Sequence, residues 1–342
     1  MGHSRLPRAI TIDDVADRAG VSAKTVSRVL NNEPNVRPVK REQVLKAARE
    51  LGYRPNPAAR SLAGGRSYLI AHLHDNPGPE YVASVNNGIY AACRANGYFL
   101  LPEPVDSTAP DCLERLQSFL MTSRVDGVIL TPPICDDARI LDLLNDSSTA
   151  YASLSPSRQP KNTPTIRMDD KAAAQEMVEH LIALGHKRIA LIAGPPSHMA
   201  STARRNGYLA ALEQANLSVV PQLTVRGDYS LHSGLQAAQH LLGLADRPTA
   251  IFAANDDMAV GAMTAIMASG LQIPADISVA GFDDSRLASL VWPPLSTVHQ
   301  PVEAMAQRAA ERLMRPDEDK LLEEVFDFKL VTRQSTGPRP VS

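Results

Sequence analysis

At 342 residues the chain exceeds what one hydrophobic core ordinarily serves, so two or three domains are expected, and 44% hydrophobic with 21% charged residues excludes disordered and collagen-like classes. The net charge of −2 hides an asymmetry: residues 1–66 carry 13 basic and 6 acidic side chains, net +7, while the rest is net −9. A small basic module on an acidic body fits a chain whose first part meets a polyanion and whose remainder does not; a solvated basic face is the plainer alternative.

No apolar run approaches the roughly 18 residues that span a bilayer. Met1-Gly2-His3-Ser4-Arg5 leads into a polar helix instead of an apolar signal core, so no membrane segment and a cytoplasmic location are expected. Cys93, Cys112 and Cys135 are odd in number and widely spaced, which fits neither a disulfide framework nor clustered zinc ligands. They read as reduced thiols, and no cofactor or metal is expected.

The first helix starts at Thr11, with Asp14 as its capping partner and Ile10 placed to staple onto Val15, and it stops at Gly20. Ser22 caps a second helix, Ala23-Lys24-Thr25-Val26-Ser27-Arg28-Val29-Leu30. Ala16 is small where the helices cross, Gly20 takes the positive φ of a tight turn, and Val26 packs the second helix on the first, which together make a helix-turn-helix. A third helix, about Pro38 to Leu51, presents Val44, Leu45, Ala48 and Leu51 to a three-helix core. Next, Asn56 as cap, Pro57 at the first helical position and Gly64 as terminator code for one very short helix. Two turns are not stable alone in water, so this segment reads either as one ordered by a partner or as a plain linker.

The run TIDDVADRAGVSAKTVSRVLNNEPNV followed by LGYRPNPAARSLAGGRS resembles the head and hinge of LacI-family regulators, nearly continuously over about 60 residues. The resemblance implies that Ala23, Lys24 and Arg28 face base edges in the major groove. It also implies that the hinge helix enters the minor groove at the operator centre, with Leu62 as a wedge whose unstacking cost of a few kcal/mol is offset by contacts the bend allows. Thr11, Ser22, Thr25, Ser27, Asn31, Lys40, Asn56 and Ala59 complete the implied DNA-binding set. Arg28 suits a guanine through its two-pronged donor face, a contact worth about 1–3 kcal/mol of discrimination, or else a phosphate. Lys24 serves either role, and Ala23 offers only a methyl or space. Many relatives have Ser and Thr where this chain has Arg37 and Lys40, which removes a cap and adds charge beside the phosphates.

From Tyr68 onward strand and helix patterns alternate, the signature of parallel sheets with helices on both faces. Strands are expected at Leu69–Leu73, Val128–Leu130, Arg188–Ile192, Ala250–Ala253 and Ile277–Gly281, with helices at Tyr81–Asn96, Asp169–Leu184, Ala203–Ala215 and Met258–Ser269. Such sheets bind ligands beyond the carboxyl ends of their strands, where Asp75-Asn76, Thr131, Asn255-Asp256 and Asp283-Asp284 stand. Clustered Asp, Asn, Arg and an aromatic suit a hydroxyl-rich sugar. LIALGHKRIALIAGP, PTAIFAANDDMAVGAM, GLQIPADISVAGFDD and WPPLSTVHQP extend the resemblance over nearly the whole chain.

That likeness implies an α/β architecture: an all-α helix-turn-helix head (1–55), a hinge helix and linker (56–66), and a two-lobed body resembling periplasmic binding proteins with parallel sheets. The lobes are expected at 67–165 with 300–328, and at 166–299 with 329–342, joined by three crossing segments around a ligand cleft. It places Asn76, Tyr81, Arg204, Tyr229, Asn255, Asp283 and Gln300 at effector-binding positions, with Thr131 and Ser153 as weaker matches. Plainer readings stand beside these: Asp256 and Asp284 as helix caps, Asn255 as a turn residue, Arg204 in a salt bridge. Where relatives carry a charged residue, this chain reads Ser153-Leu154-Ser155-Pro156-Ser157, so pocket specificity does not transfer.

His72 and His74 face one side of a strand with no third ligand, which favours a structural use. No G-x-S-x-G elbow, P-loop or G-x-G-x-x-G anchors catalysis. The expected protein is thus a repressor and not an enzyme. It pairs as a homodimer on a near-palindromic double-stranded operator and is switched by a small molecule, a sugar or sugar derivative. A tail without leucine heptads argues against a tetramer.

Overall fold

The computed structural model describes residues 10–30, 36–53, 66–75, 78–158, 160, 163–316 and 321–339, and the chain divides into two compact units after Tyr68. In the first, α1 (Ile12–Ala19) begins with a capping box: the Thr11 hydroxyl accepts from the Asp14 amide at 3.4 Å, and the Asp14 carboxylate accepts from the Thr11 amide at 2.7 Å. Gly20, at φ 65°, ends it in the left-handed region. Ser22 Oγ accepts from the Thr25 amide at 3.3 Å and starts α2 (Ala23–Leu30). At the head of α3 (Pro38–Leu51), Arg37 makes no side-chain cap, as the lack of a short acceptor there requires.

Val15, Ala16, Val26, Val29, Val44, Ala47 and Ala48 form the core of this unit. Leu45, expected inside, is 41% exposed, and Ala47 takes its place. The reason is helical phase: Val44, Ala47, Ala48 and Leu51 are spaced i, i+3, i+4, i+7, whereas Leu45 lies about 100° around the helix from Val44. Arg18 reaches Glu50 at 2.7 Å on the outside and ties α1 to α3.

The second unit runs β1 (Leu69–His74), α4 (Pro79–Asn96), β2 (Phe99–Pro104), α5 (Cys112–Ser123), β3 (Gly127–Leu130), α6 (Ala138–Asp146), β4 (Tyr151–Leu154), β5 (Thr165–Met168), α7 (Asp170–Ala183), β6 (Ile189–Ala193), α8 (Met199–Gln214), β7 (Thr224–Arg226), α9 (Leu231–Leu242) and β8 (Ala250–Ala253). It continues with α10 (Asp256–Ala268), β9 (Ser278–Ala280), α11 (Arg286–Leu290), β10 (Thr297–His299), α12 (Val302–Met314), β11 (Glu323–Phe326) and β12 (Lys329–Val331). One parallel sheet has the order β11-β5-β4-β3-β1-β2, and a second has β7-β6-β8-β9. β10 and β12 form a separate antiparallel pair, and bridges from Ala280 to Ser296 and from Asp283 to His299 set β10 beside the end of the second sheet. The first sheet includes β5 as far as Met168, three residues beyond the lobe limit drawn at 165 from sequence.

The central strands β3, β6 and β8 are short apolar runs buried along their whole length, as strands covered on both faces must be. Asp137, Asp169, Ser230 and Asn255 each cap the helix that follows. The helices α9 and α10 cross so closely that a Cβ at Gly234 would strike the Met258 backbone, and one at Gly261 the Leu231 carbonyl. Buried His186 fastens the end of the chain, with Nε2 3.0 Å from the Gly337 carbonyl and Nδ1 3.0 Å from Thr249 Oγ1. Among the described residues no helix is long and apolar enough to cross a membrane.

Because the Gly261 clash is with backbone, Gly261→Ala is expected to lower the stability of this unit by about 1–3 kcal/mol in urea unfolding, with the midpoint moving and the slope unchanged.

Candidate functional site

In the first unit α2 turns Val26 and Val29 inward, which leaves Lys24 exposed and Ala23, Thr25, Ser27 and Arg28 half-buried. Thr11 is occupied by its capping box, Ser22 Oγ lies 3.0 Å from Thr25 Oγ1, and Lys40 is exposed on α3. Asn31, Asn56, Ala59 and Leu62, and Asn76 of the body, lie outside the described residues.

Within the second unit a cavity of about 750 Å³ opens between the two sheets' carboxyl ends, and it gathers Tyr81, Arg204, Tyr229, Asn255, Asp283 and Gln300. Its floor is organised by Arg204 on α8, which is buried. Nε donates to Asp170 Oδ1 at 2.9 Å, Nη1 donates to the Ala254 carbonyl at 2.6 Å and lies 3.7 Å from Asp283 Oδ1, and the guanidinium carbon is 3.7 Å from the centre of the Phe282 ring. Burial opposes a charge on Arg204, yet Asp170, Tyr229 and Asp283 outweigh it and its pKa is raised. The plainer reading of Arg204 as a salt-bridge residue therefore holds together with its place in the cavity.

Asn255 also has two occupations. Its Oδ1 accepts from the Met258 amide at 3.0 Å and caps α10, while Nδ2 donates to the Tyr229 carbonyl at 3.0 Å. The expected caps Asp256 and Asp284 do other work. Asp256 accepts from the Ser285 amide at 2.7 Å and from Thr297 Oγ1 at 2.6 Å, and Asp284 accepts from Arg333 Nη2 at 2.6 Å and lies 3.0 Å from His299 Nδ1. Gln300 Nε2 donates to Asp283 Oδ1 at 2.5 Å. Burial, with Asp257 and Asp170 nearby, pushes Asp283 up to about 7 despite Arg204 and Gln300, and burial with Asp283 raises Asp256 as well. Desolvation holds the Tyr81 phenol well above its usual range.

Two expected positions need correction. Thr131 and Ser153 are wholly buried and do not line the cavity; Pro132 and Ser155 stand there instead. Thr131 Oγ1 lies 3.3 Å from His72 Nε2, whose Nδ1 is 2.8 Å from Asn86 Oδ1 on α4, so Thr131 and His72 belong to a buried polar cluster between the first sheet and α4. Burial keeps His72 neutral, with its pKa lowered to about 4. Asp75 is likewise a loop staple, accepting from the Ser107 amide and hydroxyl. Cys93, Cys112 and Cys135 are free and buried.

The cavity also holds residues not singled out from sequence, notably Glu80, Asp170, His198, Asp257 and His299. Asp170 had a readable signal, because Asp169-Asp170 follows β5 as Asn255-Asp256 follows β8. His198 had none: it precedes α8 in a turn, 5.2 Å edge-on from the Tyr229 ring. Of the eight non-glycine residues with positive φ among the described residues, Ser155, Tyr229, Asp283 and Asp284 all line this cavity. Strained backbone is retained where surrounding structure enforces it, and here it aims side chains into one space.

A family profile described as bacterial regulatory proteins, lacI family, matches residues 11–56, and one described as periplasmic binding protein-like domain matches residues 178–336. The chain is 36% identical to the probable HTH-type transcriptional repressor ExuR of Bacillus subtilis (strain 168), over 89% of this chain and 91% of that protein. It is 33% identical to the lactose operon repressor of Escherichia coli (strain K12), over 96% and 91%. Among solved structures it resembles the lac repressor dimer bound to operator and the anti-inducer ONPF, with TM-score 0.79, 33% identity and coverage of 96% of this chain and 100% of that one. It also resembles the transcriptional regulator CelR–cellobiose complex, with TM-score 0.73, 31% identity and coverage of 95% and 99%. With a helix-turn-helix unit, a two-sheet body enclosing a polar cavity and this extent of likeness, the chain belongs to the LacI family of bacterial regulatory proteins.

Proposed function

We propose that the protein is a sequence-specific transcriptional repressor that binds a near-palindromic operator as a homodimer and is controlled by a carbohydrate effector held in the cavity. The observation that carries this reading is the joining, in one chain, of a helix-turn-helix unit to a cavity whose floor sets a guanidinium, a carboxyl and two amides around one space. Neighbouring hydroxyls on a sugar ring need both donors and acceptors at close quarters, and Arg204, Asp283, Asn255 and Gln300 supply them, with Tyr81 and Tyr229 offering aromatic faces. The relatives ExuR and the lactose operon repressor are transcriptional repressors, which supports regulation as the role of the cavity. We place the protein in the cytoplasm because its partner is operator DNA.

In this reading residues 1–55 are the head, 56–66 the hinge, and the two lobes follow the division given above, with β5 kept whole in the first. Ala23, Lys24 and Arg28 read bases; Thr11, Ser22, Thr25, Ser27, Asn31 and Lys40 support the backbone contacts; Asn56, Ala59 and Leu62 act in the minor groove. Effector bound between the lobes changes how the two hinges of a dimer are spaced, so effector and operator affinities are coupled.

Selection of bound duplexes from a random pool, followed by titration of the enriched duplex with a sugar panel at fixed salt, tests the proposal. A palindromic winner whose affinity shifts with one carbohydrate supports it, and failure to enrich any sequence overturns it. Arg28→Ala is expected to relax preference at one base of each half-site by about 1–3 kcal/mol; a loss spread evenly over all sequences would reassign Arg28 to a phosphate.

Asp283 makes a pH-dependent contribution with a definite sign. Its folded pKa of about 7 lies above the unfolded carboxylate value of ~3.9, so the stability it contributes is complete below that value and is lost as pH rises through the window up to about 7. Asp283→Asn is therefore expected to raise the melting temperature of the ligand-free protein at pH 8, to leave it little changed at pH 4, and to abolish effector binding. Equal shifts at both pH values in thermal scans would show that the carboxyl is not held up.

A further inference from the structure

The carboxyl ends of parallel strands are also where the following helices begin. A helix start carries roughly half a unit of positive charge and unpaired amides, so a cavity at that level ordinarily suits an anion. Five long helices place their cap or first turn in the lining of this one: α4, α7, α8, α10 and α12. Four of them carry their own carboxylates there, Glu80 on α4, Asp170 on α7, Asp256 and Asp257 on α10, and Glu303 on α12, whereas α8 has none in its first turn. The chain thus answers, with its own side chains, most of the positive ends that would draw a phosphate or carboxylate ligand.

The cations of the lining do not restore the balance. Buried Arg204 is paired with Asp170 at 2.9 Å, Arg333 and His299 stand against Asp284, and Arg286 is exposed at the rim. Burial lowers the pKa of His198, which leaves it neutral at neutral pH. Glu80 and Asp257 approach from opposite lobes: Glu80 Oε1 accepts from the Arg286 backbone amide at 2.8 Å, and the Asp257 carboxyl is raised by burial and then by Glu80. Among the described residues no ion pair reaches Glu80, Asp257 or Glu303.

We propose that the cavity selects a carbohydrate with no anionic group, an uncharged or amine-bearing sugar, and turns away sugar phosphates and uronates. This narrows the effector reading given above and rests on it. Two effects act in the same direction. Carboxylates only accept hydrogen bonds, so hydroxyl and ammonium donors on a ligand match them, while the ionised oxygens of a phosphate or uronate, also acceptors only, do not. Charge adds to that mismatch, because like charges brought close in a partly dehydrated space repel with little screening.

The test uses the full-length protein labelled with fluorotyrosine, in which the fluorine resonances of Tyr81 and Tyr229 report the cavity and that of Tyr53 reports anions gathering at the basic head. Neutral mono- and disaccharides, hexosamines, hexose phosphates and hexuronates are titrated, each charged sugar beside its uncharged parent. The phosphate or uronate is expected to bind at least tenfold more weakly than its parent, with the ratio shrinking as salt is raised. A phosphate or uronate that binds as tightly as its parent overturns this proposal and leaves the effector reading standing. Silence of both cavity resonances to the whole panel overturns the effector reading, and this proposal with it.

The double variant Glu80→Gln/Asp257→Asn removes two unpaired charges and keeps their shape. It is expected to reduce the discrimination at least threefold, and an unchanged ratio overturns the proposal. Inorganic phosphate provides an arm without sugar: it is expected to leave Tyr81 and Tyr229 unmoved in the wild type and to shift them in the double variant. Phosphate that shifts them equally in both proteins overturns the exclusion of anions. Should the double variant fail to fold, Glu303→Gln, at an exposed position, carries the same comparisons.

Discussion

A buried guanidinium has to be met on every side, and the second unit is arranged around meeting that need for Arg204. Asp170 comes from the start of α7, the Ala254 carbonyl from the end of β8, Asp283 and Phe282 from the end of β9, and each arrives because a parallel strand or its following helix ends at the same level. Removing Asp170, the carboxylate paired with Arg204 at 2.9 Å, leaves an uncompensated charge, which commonly costs about 3–5 kcal/mol. The arrangement is thus hard to alter piecemeal. It also presents an array of fixed donors and acceptors to whatever enters the cavity, so the group that holds the floor together is the group that defines it.

The same array is electrostatically unfinished. Arg204 is committed to Asp170, Asp284 is committed to Arg333 and close to His299, and Asp256 and Asp283 both have raised pKa values, Asp256 by burial and then by the Asp283 charge. Raised carboxyls and positive φ at Ser155, Tyr229, Asp283 and Asp284 are local costs that the surrounding structure sustains at this cavity, as binding sites commonly do. The head has the opposite character. Its capping box, left-handed Gly20 and valine-alanine core are all locally satisfied, as suits a rigid reading surface.

What could be read from sequence follows from this difference. Thr11, Asp14 and Gly20 act within a few residues of one another, so their roles were legible as spacing; the βα rhythm was legible because buried parallel strands must be short apolar runs. Leu45 is the more apolar side chain, but helical phase decides burial and selects Ala47. Thr131 and Ser153 stand apart from the cavity for a finer reason: the strand-end rule locates a level in the sheet but not the side to which a side chain points, and both are wholly buried away from the cavity lining. Glu80 was not legible at all, since its partner is a backbone amide 206 residues away on another lobe.

A floor that holds effector and a head that holds operator matter to each other only if one equilibrium links them, and linkage is reciprocal by thermodynamic necessity. The most direct measurement is the affinity of the identified effector for the full-length protein, free and saturated with its operator duplex, set beside operator affinity with and without effector at the same salt. The account predicts that the two ratios are equal and differ from one. An effector affinity unaffected by operator would contradict it and leave two functional sites sharing a chain without communicating.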